Sequence, residues 1–144
     1  MVDITTKDST HRVAKAAATI KFNLEAFQAF INNESPKGNV IETARVAGIM
    51  AAKNTPAIIP FCHPLELGKA RMDFQINESE CEVLITAEVG YQGKTGVEME
   101  ALTAVSAAAL TIYDMMKWAD KGMVISNVML LEKSGGKNGD FHRK

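Results

Sequence analysis

The chain has 144 residues, 47% of them apolar and 23% charged, and 16 Lys+Arg against 17 Asp+Glu leave a formal net charge of −1. That length and composition predict a single globular domain over residues 1–144, with flexible ends at about 1–10 and 134–144. The charge balance speaks against a generic nucleic-acid surface, which announces itself by a basic excess, but not against a small basic pocket.

Two cysteines, Cys62 and Cys81, are too few for a disulfide framework, and no Cys or His spacing matches a metal site. The opening "MVDITTKDST" turns polar at its third residue, and no apolar run approaches the roughly 18–20 residues of a membrane span. The expectation is a reduced, cytoplasmic protein with no metal and no membrane partner.

In "VAKAAATIKF", Ala16, Ala18, Ile20 and Phe22 alternate, which predicts a strand. Asn23 then caps a short helix with Leu24, Phe27, Phe30 and Ile31 on one face, and "NNESPKG" breaks into a loop. "NVIETARVAGIMAAKN" is helical: Asn39 caps it, Glu42 sits at the capping-box position, and Val40, Ala44, Ala47 and Ala51 face one way. Gly48 and the alanines permit a close neighbour, and Pro56 stops the helix. "ARMDFQINESECEVLITAEVG" predicts a hairpin, with Met72, Phe74 and Ile76 alternating before "NESE" and Cys81, Val83, Ile85, Ala87 and Val89 after it. A long helix follows from about Val97 to Trp118, apolar nearly all round and so buried on more than one side. "GMVISNVMLLEK" closes as a strand before the tail "SGGKNGDFHRK". The order β, α, α, β, β, α, β predicts an α+β fold, a ferredoxin-like split βαβ sandwich with helices on one face of an antiparallel sheet.

Several residues invite a chemical reading. Glu100, Ala104, Ala107, Thr111, Asp114 and Lys117 share a face of the long helix, and Asp114 and Lys117 pair one turn apart. On an exposed helix such a pair is worth a few tenths of a kcal/mol. At a partly buried mouth it could tune acid–base groups, and the apolar run before it favours that placement. Glu98 and Glu100 suit a helix start by themselves, and "GKTG" lacks the upstream glycine of a P-loop. Lys37 precedes a helix N-terminus, where backbone amides favour an anion, and Lys137 is flanked by glycines. His63, next to Cys62, is held between Pro60 and Pro64, the rigidity of a recognition loop or simply of a stiff turn. The residues by themselves predict an anionic small-molecule site built from Lys37, His63, the Glu98–Glu100 turn and Asp114/Lys117.

"MVDIT", "KGNVIETARVAGIMAAKNT", "IPFCHPL", "GKTGVEMEALTAVSAAALTIYDMMK" and "LLEKSGGKNGDF" resemble, in this order, the cyclic pyranopterin monophosphate synthase family of molybdenum cofactor biosynthesis. The resemblance runs from Met1 to Phe141 and implies a ferredoxin-like fold. It implies a lyase that converts 3′,8-cyclo-7,8-dihydroguanosine 5′-triphosphate to cyclic pyranopterin monophosphate with release of diphosphate. It implies no resident cofactor, with Mg²⁺ at most arriving on the triphosphate, and a cytoplasmic homohexamer, a trimer of dimers with sites between subunits. By the same resemblance Asp114, Lys117 and Lys37 are catalytic. Phe61, Cys62, His63, Glu98, Met99, Glu100 and Arg12 bind substrate, and Lys133 and Lys137 are further phosphate contacts. Cys62 is expected to supply backbone and packing rather than a nucleophile. Lys37, Lys117 and Arg12 are expected to converge on the triphosphate, some across a subunit boundary.

The chain departs from the family pattern at Asn39, Phe61 and Met116, where aspartate, leucine and cysteine are usual. Two rival readings are a nucleotide sensor that binds without turnover and an RNA module on the same topology. The latter calls for exposed aromatics and a basic face, against 6% aromatics here.

Overall fold

A computed structural model describes residues 1–144. The first strand, β1 (Thr10–Lys21), is followed by helices α1 (Leu24–Ile31), α2 (Val40–Lys53) and the single turn α3 (Thr55–Ile58). The hairpin of β2 (Lys69–Asn77) and β3 (Glu82–Gly93) leads into α4 (Glu98–Met116), then β4 (Val124–Ser134) and the two-residue β5 (Phe141–His142). The sheet order is β2-β3-β1-β4-β5, every neighbouring pair antiparallel. It follows that β1 and β2 run parallel with β3 between them, and β3 and β4 run parallel with β1 between them. These are two interleaved split βαβ units, the ferredoxin-like arrangement.

Alternation in β1 sends Ala14, Ala16, Ala18 and Ile20 to the helix-covered face, all fully buried. Alanine is a poor strand former, but here its small side chain lets α4 lie close over the sheet centre. The helix answers in kind: Ala101, Ala104, Ala108 and Ala109 are buried with Val105 and Ile112. Its neighbour α2 packs on it at Gly48, where an added Cβ would stand 3.1 Å from the Ala104 carbonyl oxygen and 2.7 Å from Met72 Cε. A larger residue there would make the Met72 side chain swing aside and the Ala104 backbone give by a few tenths of an ångström, so glycine suits this close approach.

Some expected details shift. In α1, Phe27 and Phe30 are buried with Phe22, but Leu24 and Ile31 lie exposed at its ends, and Ala26 and Ala29 complete the buried face instead. Ala47 is half-buried while Gly48 takes the inner position on α2. Pro56 does not itself end α2; Asn54 caps Lys53, and the proline opens the separate turn α3. The hairpin loop is Glu78–Cys81, one residue later than expected, because Cys81 adopts a left-handed φ of 51° and cannot continue the strand. Ile76, next to that loop, is exposed. β4 carries two bulges against β1, with Asn127 at φ 53° beside the second. The tail, which has no strand signal, returns as β5 against Glu132 and Lys133.

Candidate active site

The two ends of α4 carry different chemistry. At its C-terminal end the loop before α2 is pinned down by Ser35, whose hydroxyl donates to the Met115 carbonyl at 2.8 Å and accepts from the Lys37 amide at 3.3 Å. This brings Lys37 Nζ to 2.8 Å from Asp114 Oδ2, while Lys117 Nζ lies 2.9 Å from Asp114 Oδ1. Each carboxylate oxygen thus meets one ammonium. The hydrogen bond from Lys37, then that from Lys117, holds the Asp114 carboxyl down at about 2, and Asp114 raises the Lys117 ammonium in return. All three side chains are about half exposed, at 53%, 49% and 51%, so the partly buried mouth expected for the Asp114–Lys117 pair is not formed by one chain. The helix face carrying Glu100 and Ala104 is buried, and it turns outward through Ala107 and Thr111 to the exposed Asp114 and Lys117.

At the N-terminal end of α4, a cavity of about 490 Å³ is lined by Phe61, Cys62, His63, Glu98, Met99 and Glu100 among others. The loop between Pro60 and Pro64 presents Phe61 at 75% exposure, and His63 Nε2 lies 2.8 Å from the Val2 carbonyl oxygen. Glu100 is only 3% exposed; burial pushes its carboxyl up, and the neighbouring Glu98 charge adds to the shift. Burial, with the charge of Glu100, likewise raises the Cys62 thiol, the opposite of activation to a nucleophile.

Arg12 belongs to a third place. A cavity of about 410 Å³ with no apolar lining collects Arg12, Lys133, Lys137, Lys7, Thr10 and Asn138, with Asp8 as its one acid. Gly135 and Gly136, at φ 89° and 85°, let the tail fold onto this strand: a Cβ on the first would strike the His11 carbonyl, and on the second the Arg12 guanidinium. Arg12 Nε and Thr10 Oγ1 are buried without a hydrogen-bond partner in the chain. This basic cavity adjoins the previous one, for Lys7 lines both and Lys133 Nζ lies 3.3 Å from Glu98 Oε1.

The structure therefore joins Lys37 to Asp114 and Lys117, and the Cys-His loop to Glu98–Glu100, but does not bring the two groups together in one chain. Sixteen residues of α4 separate Glu98 from Asp114, about 24 Å along the axis. Nor does Arg12 converge with Lys37 and Lys117. Sequence reasoning missed Lys7 and Thr10, which carry no motif signal, and assigned no role to Val2, although it lies in the opening stretch of the resemblance; the glycine pair before Lys137 is the one hint of a wrapped tail. No three His, Cys, Asp or Glu side chains gather at metal-ligating distance. No helix is long and apolar enough to cross a membrane.

The MoaC family model matches residues 1–136. A cyclic pyranopterin monophosphate synthase of Staphylococcus epidermidis is 54% identical over 147 residues, covering 100% of this chain and 91% of that protein. One from Staphylococcus haemolyticus is 55% identical, covering 99% and 91%. One from Helicobacter pylori is 51% identical, covering 100% and 91%. Similarity of this extent, along a chain whose fold also agrees, shows that it belongs to the MoaC family.

Proposed function

We propose that the chain is a lyase of molybdenum cofactor biosynthesis that converts 3′,8-cyclo-7,8-dihydroguanosine 5′-triphosphate to cyclic pyranopterin monophosphate and diphosphate. The observation that carries this reading to particular residues is the Lys37–Asp114–Lys117 cluster, assembled from positions 77 residues apart and serving no core. Ring opening and reclosure shuttle protons among carbon and nitrogen centres, and the ammonium groups of Lys37 and Lys117 are the donors at hand. Asp114, ionised and bonded to both, sets their orientation and holds the proton on Lys117 until substrate displaces that contact. Closure of the cyclic phosphate forms one O–P bond and breaks the bond to the leaving diphosphate. Arg12, Lys133 and Lys137 are placed to offset the charge built on it.

In this reading the ring system occupies the cavity of Phe61, Cys62, His63, Glu98, Met99 and Glu100, and the triphosphate the adjoining basic cavity. The Glu100 carboxyl, buried and pushed up from its ordinary value, lines this cavity within reach of a base edge. The separation along α4 supports a site completed by a second copy, whose Lys37, Asp114 and Lys117 face the first copy's cavities. A homohexamer built as a trimer of dimers provides such facing pairs. No electrons are gained or lost overall, so no redox cofactor is called for, and Mg²⁺ at most enters with the triphosphate. A GTP-derived substrate supports a cytoplasmic location for the reaction.

The test is anaerobic turnover of the cyclic triphosphate, read as diphosphate release and pterin formation, with Asp114→Ala alongside. Turnover by the native chain, and its loss in a folded variant that still binds substrate, is expected. Binding without turnover by the native chain would replace the synthase with a sensor. Full turnover by both Lys37→Ala and Lys117→Ala would remove the lysines from the mechanism.

A further inference from the structure

The tail "SGGKNG" contributes Lys137 and its glycine pair to the basic cavity, while Asn138 and Gly139 have no part in the chemistry proposed above. Of the eight asparagines, Asn138 alone is followed by glycine. Both residues are exposed, Gly139 has φ 79°, and nothing stands within 4 Å of where its Cβ would be. Neither the Asn138 side chain nor the Gly139 amide forms an intramolecular hydrogen bond, although the loop is held on either side of them. The Gly135 amide donates to Asp140 Oδ1 at 3.2 Å, and the Arg143 amide to the Leu131 carbonyl at 2.8 Å. Asn138 also lines the cavity that contains Arg12, Lys133 and Lys137.

We propose that Asn138 is a self-modification site, whose deamidation places a carboxylate in the basic cavity and weakens its hold on polyphosphate anions. The Gly139 nitrogen, losing its proton to hydroxide, attacks the Asn138 side-chain carbonyl carbon. A C–N bond forms, the bond to the amide nitrogen breaks, and ammonia leaves a cyclic imide. Water then opens either imide carbonyl to give aspartate or isoaspartate, so the balance is asparagine plus water to acid plus ammonia, with no redox change. Glycine matters because no side chain hinders the approach and its backbone reaches the required torsions. The free Gly139 amide means that no hydrogen bond must first break.

The product exchanges a neutral amide for a negative charge among four cationic side chains. Affinity for a polyphosphate is expected to fall roughly three- to tenfold. Bound ligand, by holding the loop, slows the modification. The chemistry stands on the Asn-Gly geometry alone, while its consequence rests on the anion reading of the cavity proposed above.

The full chain in its native assembly is incubated at physiological temperature in mildly alkaline buffer. Peptide mass mapping follows residue 138, and binding of inorganic triphosphate is measured on the same samples. Expected is the mass gain of amide to carboxylate confined to the Asn138 peptide, resolved into aspartate and isoaspartate forms, with triphosphate affinity falling in step. Asn138→Asp reproduces the loss at time zero, and Asn138→Ser shows no mass gain. Failure of Asn138 to convert, under conditions that deamidate the free peptide GGKNGD, overturns the proposal. Conversion with unchanged triphosphate affinity also overturns it, and Arg12→Ala then locates the error. If that variant binds triphosphate weakly, the anion cavity stands and only the charge switch falls; if it binds normally, the anion reading itself fails.

Discussion

Asp114 is the residue whose state decides most. With its carboxyl held at about 2 it is ionised across the working range of an enzyme, so it is not the group behind an acid limb near neutrality in a pH–rate profile. The same shift has a stability consequence of known sign. A carboxyl lowered on folding stabilises the fold above its ordinary value of 3.8, and that contribution is lost as pH falls towards about 2. Asp114→Asn should therefore unfold at lower denaturant than the native chain above pH 3.8, with the gap closing below it; the gap is small because solvent screens the exposed ion pairs. Glu100 behaves in the opposite sense. Its raised carboxyl opposes folding once pH exceeds the ordinary 4.5, so Glu100→Gln should match or exceed native stability at neutral pH and lose that advantage at 4.5 and below. Denaturant midpoints across pH measure both. For catalysis, Lys117→Ala should lower kcat by about 10²-fold or more, with the far-ultraviolet circular dichroism unchanged.

At the scale of elements, the contact of α2 with α4 and of α4 with β1 depends on smallness. Gly48→Val drives two methyl groups at the Ala104 carbonyl and Met72, and should cost about 1–3 kcal/mol in chemical denaturation. Ile112→Ala opens a hole in a fully buried site and should cost about 2–5 kcal/mol. Neither variant alters a side chain of the proposed chemistry. These elements were legible because periodicity and caps are local: Asn23 and Asn39 accept from the Ala26 and Glu42 amides as expected of N-caps. What was not legible depends on partners distant in the chain. The inward place of Gly48 rather than Ala47, the exposure of Leu24 and Ile31, and the strand formed by Phe141 are set by what packs or pairs opposite them. Apolar alternation predicts strand at Cys81 because it carries no information about a positive φ.

Across the whole molecule, the candidate residues were recognisable by type and order, but their grouping into two ends of one helix was not. Helical spacing predicts a shared face and is silent on whether a loop reaches the same end. If two copies complete each site, co-assembled subunits carrying Asp114→Ala and Arg12→Ala, each inactive alone, should regain a fraction of native turnover from the pairs that combine two intact halves. No recovery in demonstrably mixed assemblies would return the whole site to one chain. The position of β1 has a different consequence, for the order of events during synthesis. This strand leaves the ribosome first, yet its two partners are β3 and then β4, the latter beginning only at Val124. Until β4 has emerged, one long edge of β1 keeps its backbone donors and acceptors open. Sheets that close through such distant pairings form slowly and pass through aggregation-prone states. A nascent chain stalled after Met116 should accordingly be sticky and protease-sensitive, becoming resistant only once β4 can add to the sheet.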